Sequence, residues 1–230
     1  MGRAIIGSYA RLMFKLDVVR QAPLPAGPKV FAANHPSTLD PVWVMMLADE
    51  QTSALILETL FKVPVLGTYL RRAGHVPVVE GAGGAALDEG IRLLKAGRTL
   101  VMFPEGVISP LEGGFHRPRT GVARQALSAG VPVIPVGISL QRERIRLRET
   151  MVAGKKEVGT WYLRGRYAMT VGRPLHFDGD VEDREYVRSV SGHIMESIIT
   201  LTHCSAQRLR EALHLASGAM QRPAQLADIR

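Results

Sequence analysis

Residues 29–50 read KVFAANHPSTLDPVWVMMLADE. The first six form a short apolar run that fits a buried strand. Pro41 suits the first position of a helix, with Asp40 as its cap, so PVWVMMLADE reads as helical. Between them lies the turn NHPSTLD. Strand, loop and helix in that order are the unit of a parallel sheet covered by helices.

The unit recurs downstream. TSALILE (52–58) reads as a strand and PVLGTYLRRAG (64–74) as a short helix ended by Gly74. HVPVVE (75–80) is a third strand. GGAALDEGIRLLKAG (83–97) has helical spacing through Leu87, Ile91 and Leu94, with Gly97 closing it. RTLVMFPEG (98–106) is a strand running into a loop. TGVARQALSAG (120–130) is again helix-then-glycine, and VPVIPVGISL (131–140) is another apolar strand. From about residue 185 the pattern turns helical, and the last dozen residues read as a loose tail. The expectation is an α/β fold: a mostly parallel central sheet flanked by helices, with an N-terminal amphipathic helix and a helical C-terminus. Its parts would be residues 1–22, a single domain over 23–218, and a tail over 219–230.

With 230 residues, 46% hydrophobic and 22% charged, the chain can bury a full core. The deviation is charge: a net +8, carried mostly by arginine, predicts an anionic partner. Nucleic acid fits poorly, because aromatics are only 6% and do not interleave with the basic residues. Cys204 is the only cysteine, which excludes an internal disulfide and a thiolate metal cluster. The apolar runs fall short of the roughly 18–20 residues that span a bilayer. Over GRAIIGSYARLMFKLD (2–17), however, Ile5, Ile6, Tyr9, Leu12, Met13 and Leu16 share a helical arc of about 120°, with Arg3, Arg11 and Lys15 off it. Such a basic amphipathic helix can lie in a bilayer interface, or pack on its own domain.

The loop NHPSTLD carries the first candidate chemistry. A histidine takes up a proton near neutral pH when a carboxylate fixes its tautomer and steadies the imidazolium. Asp40, five residues on, can fold back onto His35 in that manner, with Pro36 and Pro41 stiffening the return. The same spacing also arises where each residue merely caps a turn. No G-x-S-x-G nucleophile elbow accompanies the pair, so the attacking group would be the substrate's own hydroxyl or amine. FPEG (103–106) leaves a carboxylate at another strand end, where α/β sites form.

Taken together, NHPSTLD, GHVPVVE, FPEGVIS and VPVIPV resemble the glycerolipid acyltransferase family, typified by 1-acyl-glycerol-3-phosphate acyltransferase. The family's blocks are NHxxxxD, a glycine-led strand ending in arginine, FPEGTR and VPxxPV. The resemblance covers about residues 30–140 and makes residues 23–218 an acyltransferase domain. It implies His35 as general base and Asp40 as its orienter. It also implies a substrate site drawn from Asn34, Ser37, Phe103, Pro104, Glu105 and Gly106. The acyl donor would be acyl-CoA or acyl carrier protein, the acceptor a lysophospholipid such as lysophosphatidic acid, with no cofactor and no metal.

Three basic residues of the family pattern are missing: Leu57, Glu80 and Ile108 stand in their places. Arg117 and Arg119, just after the FPEG loop, could hold the acceptor's phosphate instead. Otherwise the acceptor differs, lacking a phosphate, or the chain is an inactive lipid-binding protein on the same fold. Arg142, Arg144, Arg146 and Arg148 would share one face if their stretch were extended, a comb suited to an anionic membrane or an acidic carrier protein. Juxtamembrane basic residues contribute about 1 kcal/mol each. The expected location is peripheral, on the cytoplasmic face of the cell membrane.

Overall fold

The computed structural model describes residues 13–220 apart from residues 49, 80 and 153. Among these described residues, nine strands and six α-helices follow in chain order: β1 (Phe14–Arg20), β2 (Val30–Ala33), α1 (Asp40–Met45), β3 (Thr52–Leu57), α2 (Glu58–Phe61), α3 (Leu66–Ala73), β4 (Val76–Val78), α4 (Gly83–Lys95), β5 (Thr99–Met102), α5 (Gly121–Ala129), β6 (Val133–Leu140), β7 (Arg146–Val152), β8 (Lys155–Trp161), β9 (Gly165–Val171) and α6 (Arg184–Met220). Seven strands form one sheet in the order β1-β9-β6-β2-β5-β3-β4, and β7 and β8 form a separate hairpin. Strands β6, β2, β5, β3 and β4 are mutually parallel. β9 runs antiparallel to β6, and β1 runs parallel to β9. The expected mostly parallel α/β sheet is therefore present.

Period-two alternation divides the core. On β2, Phe31 and Ala33 face one cluster with Phe14, Trp43, Tyr162 and Tyr167; Val30 and Ala32 face the other, built with α4, α5 and α6. With helices over both faces, the central strands read as unbroken apolar runs. Gly137 on β6 lets α6 approach: a Cβ there would lie 2.0 Å from the Thr202 backbone nitrogen. Ser205 Oγ donates to Gly137 O at 2.8 Å, sealing that contact.

The amphipathic helix over 1–22 fails from Phe14 onward, where the chain is strand; residues 1–12 lie outside the described residues. The same segment alternates Phe14, Lys15, Leu16, Asp17, Val18 with period two. Pairing with β9 satisfies one side of the strand's backbone and buries Phe14 in the core. Arg208 of α6 binds Asp17 Oδ2 at 2.7 Å and Met169 O at 3.0 Å, tying β1 and β9 to the helix. At the other end, α6 extends to Met220, past the expected boundary at 218, and residues 221–230 are not among those described.

Two other readings are corrected. Asp40 does not cap α1: Leu39 holds that position and Asp40 is the first helical residue. The arginine comb is broken because Arg142–Arg144 form a 3-10 turn, leaving only Arg146 and Arg148 on a strand. Among the described residues, no helix is long and apolar enough to cross a membrane.

Candidate active site

Because β2 and β5 are parallel neighbours, their C-terminal ends place NHPSTLD beside FPEG. His35 lies two residues beyond β2. Its Nδ1 is 3.0 Å from Asp40 Oδ2. A carboxylate can only accept there, so Nδ1 carries the proton and Nε2 is the ring nitrogen with the lone pair. The imidazole also stacks on Phe103, with ring centroids 3.9 Å apart and planes 16° from parallel. Two contacts thus fix the ring, one in its plane and one across its face.

Asp40 is fully buried, and its carboxylate is held from three directions. Oδ2 accepts the Ser37 backbone N–H at 2.7 Å as well as the imidazole. Oδ1 accepts the Tyr167 hydroxyl at 2.7 Å. Burial pushes the Asp40 carboxyl up from the usual range, while the bonds from His35, Tyr167 and Ser37 oppose that rise. Burial, and then the neighbouring Asp40 charge, push the Tyr167 phenol well above its ordinary value, so it remains a donor.

Glu105 joins the two loops from beneath. Its Oε1 accepts the Ser109 hydroxyl at 2.5 Å and lies 3.4 Å from the His35 backbone nitrogen. Its Oε2 accepts the His116 N–H at 2.8 Å. Ser109 completes the clamp: Oγ accepts the His35 N–H at 3.0 Å, and its own N–H donates to His35 O at 2.8 Å. Glu105 is buried, so its carboxylate serves the loops and not the opening expected of a substrate-site residue.

Asn34 and Ser37 are likewise spent below the site. Where β2 leaves β6, the Asn34 carboxamide extends the ladder: Nδ2 donates to Ile138 O at 3.0 Å and Oδ1 accepts the Ile138 N–H at 2.7 Å. Ser37 Oγ donates to Thr160 O at 3.1 Å and accepts the Tyr162 N–H at 3.2 Å. Both side chains are buried, so neither takes the substrate-contacting position the sequence reading gave it.

Phe103 is half-buried, Gly106, Arg117 and Arg119 are exposed, and Pro104 is buried. Gly106 has φ +72°, and a Cβ on it would lie 2.5 Å from Arg119 Nε. Only glycine fits both the turn and that approach. Arg119 N donates to Pro104 O at 2.8 Å, which places its exposed guanidinium across the FPEG turn. Arg117 is exposed in the same segment. Of the three departures from the family pattern, Leu57 is exposed at the end of β3 and Ile108 is half-buried, while Glu80 lies outside the described residues.

Sequence reasoning missed Tyr167, Ser109 and the Thr160–Tyr162 contacts to Ser37. Ser109 was within reach of local reading, as the last residue of FPEGVIS. Tyr167 stands 127 positions from Asp40, and only strand pairing brings the two together.

The chain is similar to known proteins in sequence and in fold. A family model described as Acyltransferase matches residues 15–139. The chain is 28% identical over 111 residues to the 1-acyl-sn-glycerol-3-phosphate acyltransferase of Limnanthes alba, covering 46% of this chain and 39% of that protein. Against the Escherichia coli K12 protein of the same name it is 28% identical over 142 residues, covering 59% and 58%. The matches thus span well under two thirds of these curated relatives. The crystal structure of the 1-acyl-sn-glycerophosphate (LPA) acyltransferase PlsC from Thermotoga maritima aligns with TM-score 0.54 and 28% identity, over 78% of this chain and 71% of that one.

Proposed function

From the premise that this chain belongs to the acyltransferase family matched over residues 15–139, we propose that it transfers a fatty acyl group to the hydroxyl of a lysophospholipid. The preferred acceptor is lysophosphatidic acid, and the donor is acyl-CoA or acyl carrier protein. The work takes place at the cytoplasmic face of the cell membrane, with the protein held peripherally.

The observation that carries this reading is the His35–Asp40 pair at 3.0 Å, with Asp40 itself immobilised by Ser37 and Tyr167. The hydroxyl bonded to His35, that of Ser109, meets the backbone and gives its proton to Glu105, so it is not poised as a nucleophile. The acceptor supplies the attacking oxygen. His35 Nε2 removes the acceptor's hydroxyl proton as that oxygen adds to the thioester carbonyl carbon. The tetrahedral adduct then collapses, the C–S bond breaks, and the imidazolium returns the proton to the leaving thiolate. Asp40 stays ionised and steadies the imidazolium. No metal and no acyl-enzyme are required.

In this reading Arg119, whose side chain lies against Gly106, holds the acceptor phosphate, with Arg117 two positions before it in sequence. A second reading, an acceptor without a phosphate, is favoured by Leu57 and Ile108 standing where the family pattern is basic. A panel of lysophosphatidic acid, glycerol 3-phosphate, other lysophospholipids and phosphate-free lysolipids, each with labelled acyl-CoA and acyl carrier protein, tests both. Transfer to lysophosphatidic acid, abolished in His35→Ala and weakened in Arg119→Ala, supports the first reading. Transfer confined to phosphate-free acceptors supports the second. A folded protein that transfers to none of them refutes the enzyme reading.

A further inference from the structure

The β7–β8 hairpin stands outside the main sheet. In its antiparallel register Leu147 opposes Thr160, Glu149 opposes Val158, and Met151 opposes Lys156, so these six side chains share one face. Leu147, Met151 and Val158 are 53%, 67% and 52% exposed, which is unusual for three large apolar residues on one small ribbon. The single carboxylate of that face, Glu149, is paired with Lys156 at 2.9 Å.

Charge concentrates on the same segment. Residues 142–164 hold seven basic and three acidic residues, a net +4 of the chain's +8 in a tenth of its length. At the hairpin's root a cavity of about 580 Å³ is lined by Arg144, Arg146 and Arg164 with Met13, Leu163 and Glu143. Cationic residues flank and underlie a projecting apolar face.

Position links this face to the site. The root of β8 is bonded to the catalytic loop through Thr38 N to Thr160 O at 2.8 Å and Thr160 N to Thr38 Oγ1 at 2.9 Å. β6 ends at the same sheet edge as β2 and leads into this segment. Further along that edge, Leu57 ends β3, and Val65, which precedes α3, and Tyr69, within it, are 84% and 54% exposed. Apolar residues spread along one whole edge suit a planar partner. A small carrier protein would cover one part only.

We infer that the β7–β8 hairpin docks on an anionic phospholipid bilayer, with Leu147, Met151 and Val158 entering the headgroup region and the guanidiniums at the root meeting lipid phosphates. The surface rests on the lysophospholipid reading above and gives it an orientation, since docking turns the His35 loop toward the membrane. Interfacial binding of this kind combines buried apolar area with attraction to anionic lipid.

The test uses the full chain with Cys204→Ser and Met151→Cys, labelled there with an environment-sensitive fluorophore, against vesicles of phosphatidylcholine with and without phosphatidylglycerol. Emission should rise and shift blue with anionic vesicles only. Two triple variants, Leu147→Ser/Met151→Ser/Val158→Ser and Arg144→Gln/Arg146→Gln/Arg164→Gln, should each sediment with anionic vesicles at least tenfold more weakly, with circular dichroism unchanged. Both should keep turnover on monomeric short-chain substrates and lose it on vesicle-embedded acceptor. Wild-type vesicle binding by either triple variant overturns the inference, as does binding with no change at the label. A label that responds to acyl carrier protein and not to vesicles overturns it in favour of a protein partner. Vesicle binding with the expected label response, in a protein that transfers to no acceptor, would refute the proposed function and leave this inference standing.

Discussion

Tyr167, at the third position of β9, gives its hydroxyl proton to Asp40 Oδ1 at 2.7 Å, inside the core and 127 residues away in sequence. The bond makes β9, which runs antiparallel to β6, a support for the His35–Asp40 pair. Tyr167→Phe keeps the ring and deletes the donor. A hydrogen bond to a buried charge contributes about 1.5–3 kcal/mol, so thermal stability should fall by that order. Turnover should fall roughly tenfold through looser orientation of His35, with KM for donor and acceptor little changed. Steady-state kinetics beside calorimetry separates the two effects. A variant that loses stability with turnover intact would make Tyr167 a packing residue alone.

Asp40→Asn tests the orienter. The amide cannot accept from His35, Ser37 and Tyr167 as a carboxylate does, and it leaves the imidazolium without a counter-charge. Turnover should drop by about two to four orders of magnitude, as for orienters of this type. Stability should follow pH in a defined direction. Burial raises the native Asp40 pKa above its ordinary 3.8, so the folded state holds the proton more tightly than the unfolded chain. The stability this contributes is present below that ordinary value and is lost as pH rises through the native one. As pH rises above the ordinary 3.8, the wild type should therefore lose ground to Asp40→Asn in unfolding free energy. A difference independent of pH would mean that Asp40 is not raised in the native protein.

Glu105 distinguishes a scaffold carboxylate from a substrate ligand. Its three hydrogen-bonding partners, Ser109, His35 and His116, belong to its own and the neighbouring loop, and Ser109 in turn accepts from His35. Glu105→Gln must turn an amide NH2 toward one of these donors, which costs about 1–3 kcal/mol for an unsatisfied buried group. Thermal midpoint and turnover should fall together, and Ser109→Ala should reproduce a smaller share of both. An increase in acceptor KM with stability unchanged would return Glu105 to the substrate site.

These three residues also mark how far the sequence could be read. His35, Asp40 and the FPEG turn were legible because each sits where a local apolar run stops or starts, and local patterns fix those boundaries. The parallel sheet followed from alternating strand and helix periods. Tyr167 was not legible, because strand pairing and not spacing brings β9 to α1. Phe14–Arg20 misled for a related reason: its apolar residues fit both a helical arc and a two-residue alternation, and only the distant β9 decides between them. The destination of a buried polar group was equally hidden. Asn34, Ser37 and Glu105 look like site residues in one dimension, yet their partners are backbone groups and neighbours beneath the surface.

His75, far from the opening at the start of β4, should set a separate pH dependence. Its Nδ1 accepts the Ala54 N–H at 3.1 Å, which requires a neutral ring. Burial, with the Arg98 charge second, pulls its pKa below the ordinary 6.5. The unfolded chain therefore binds the proton more readily, so this contribution to stability is present above pH 6.5 and is lost as pH falls through the native value. Asn can offer Oδ1 near the position of the imidazole Nδ1 without titrating. His75→Asn should cost about 1–3 kcal/mol at neutral pH, from lost packing and an imperfect bond. It should also flatten the decline of thermal midpoint between about pH 7 and 5, while turnover per folded molecule at neutral pH stays within about twofold of wild type. A variant whose midpoint falls as steeply as the wild type's over that range would assign the acid sensitivity to another group.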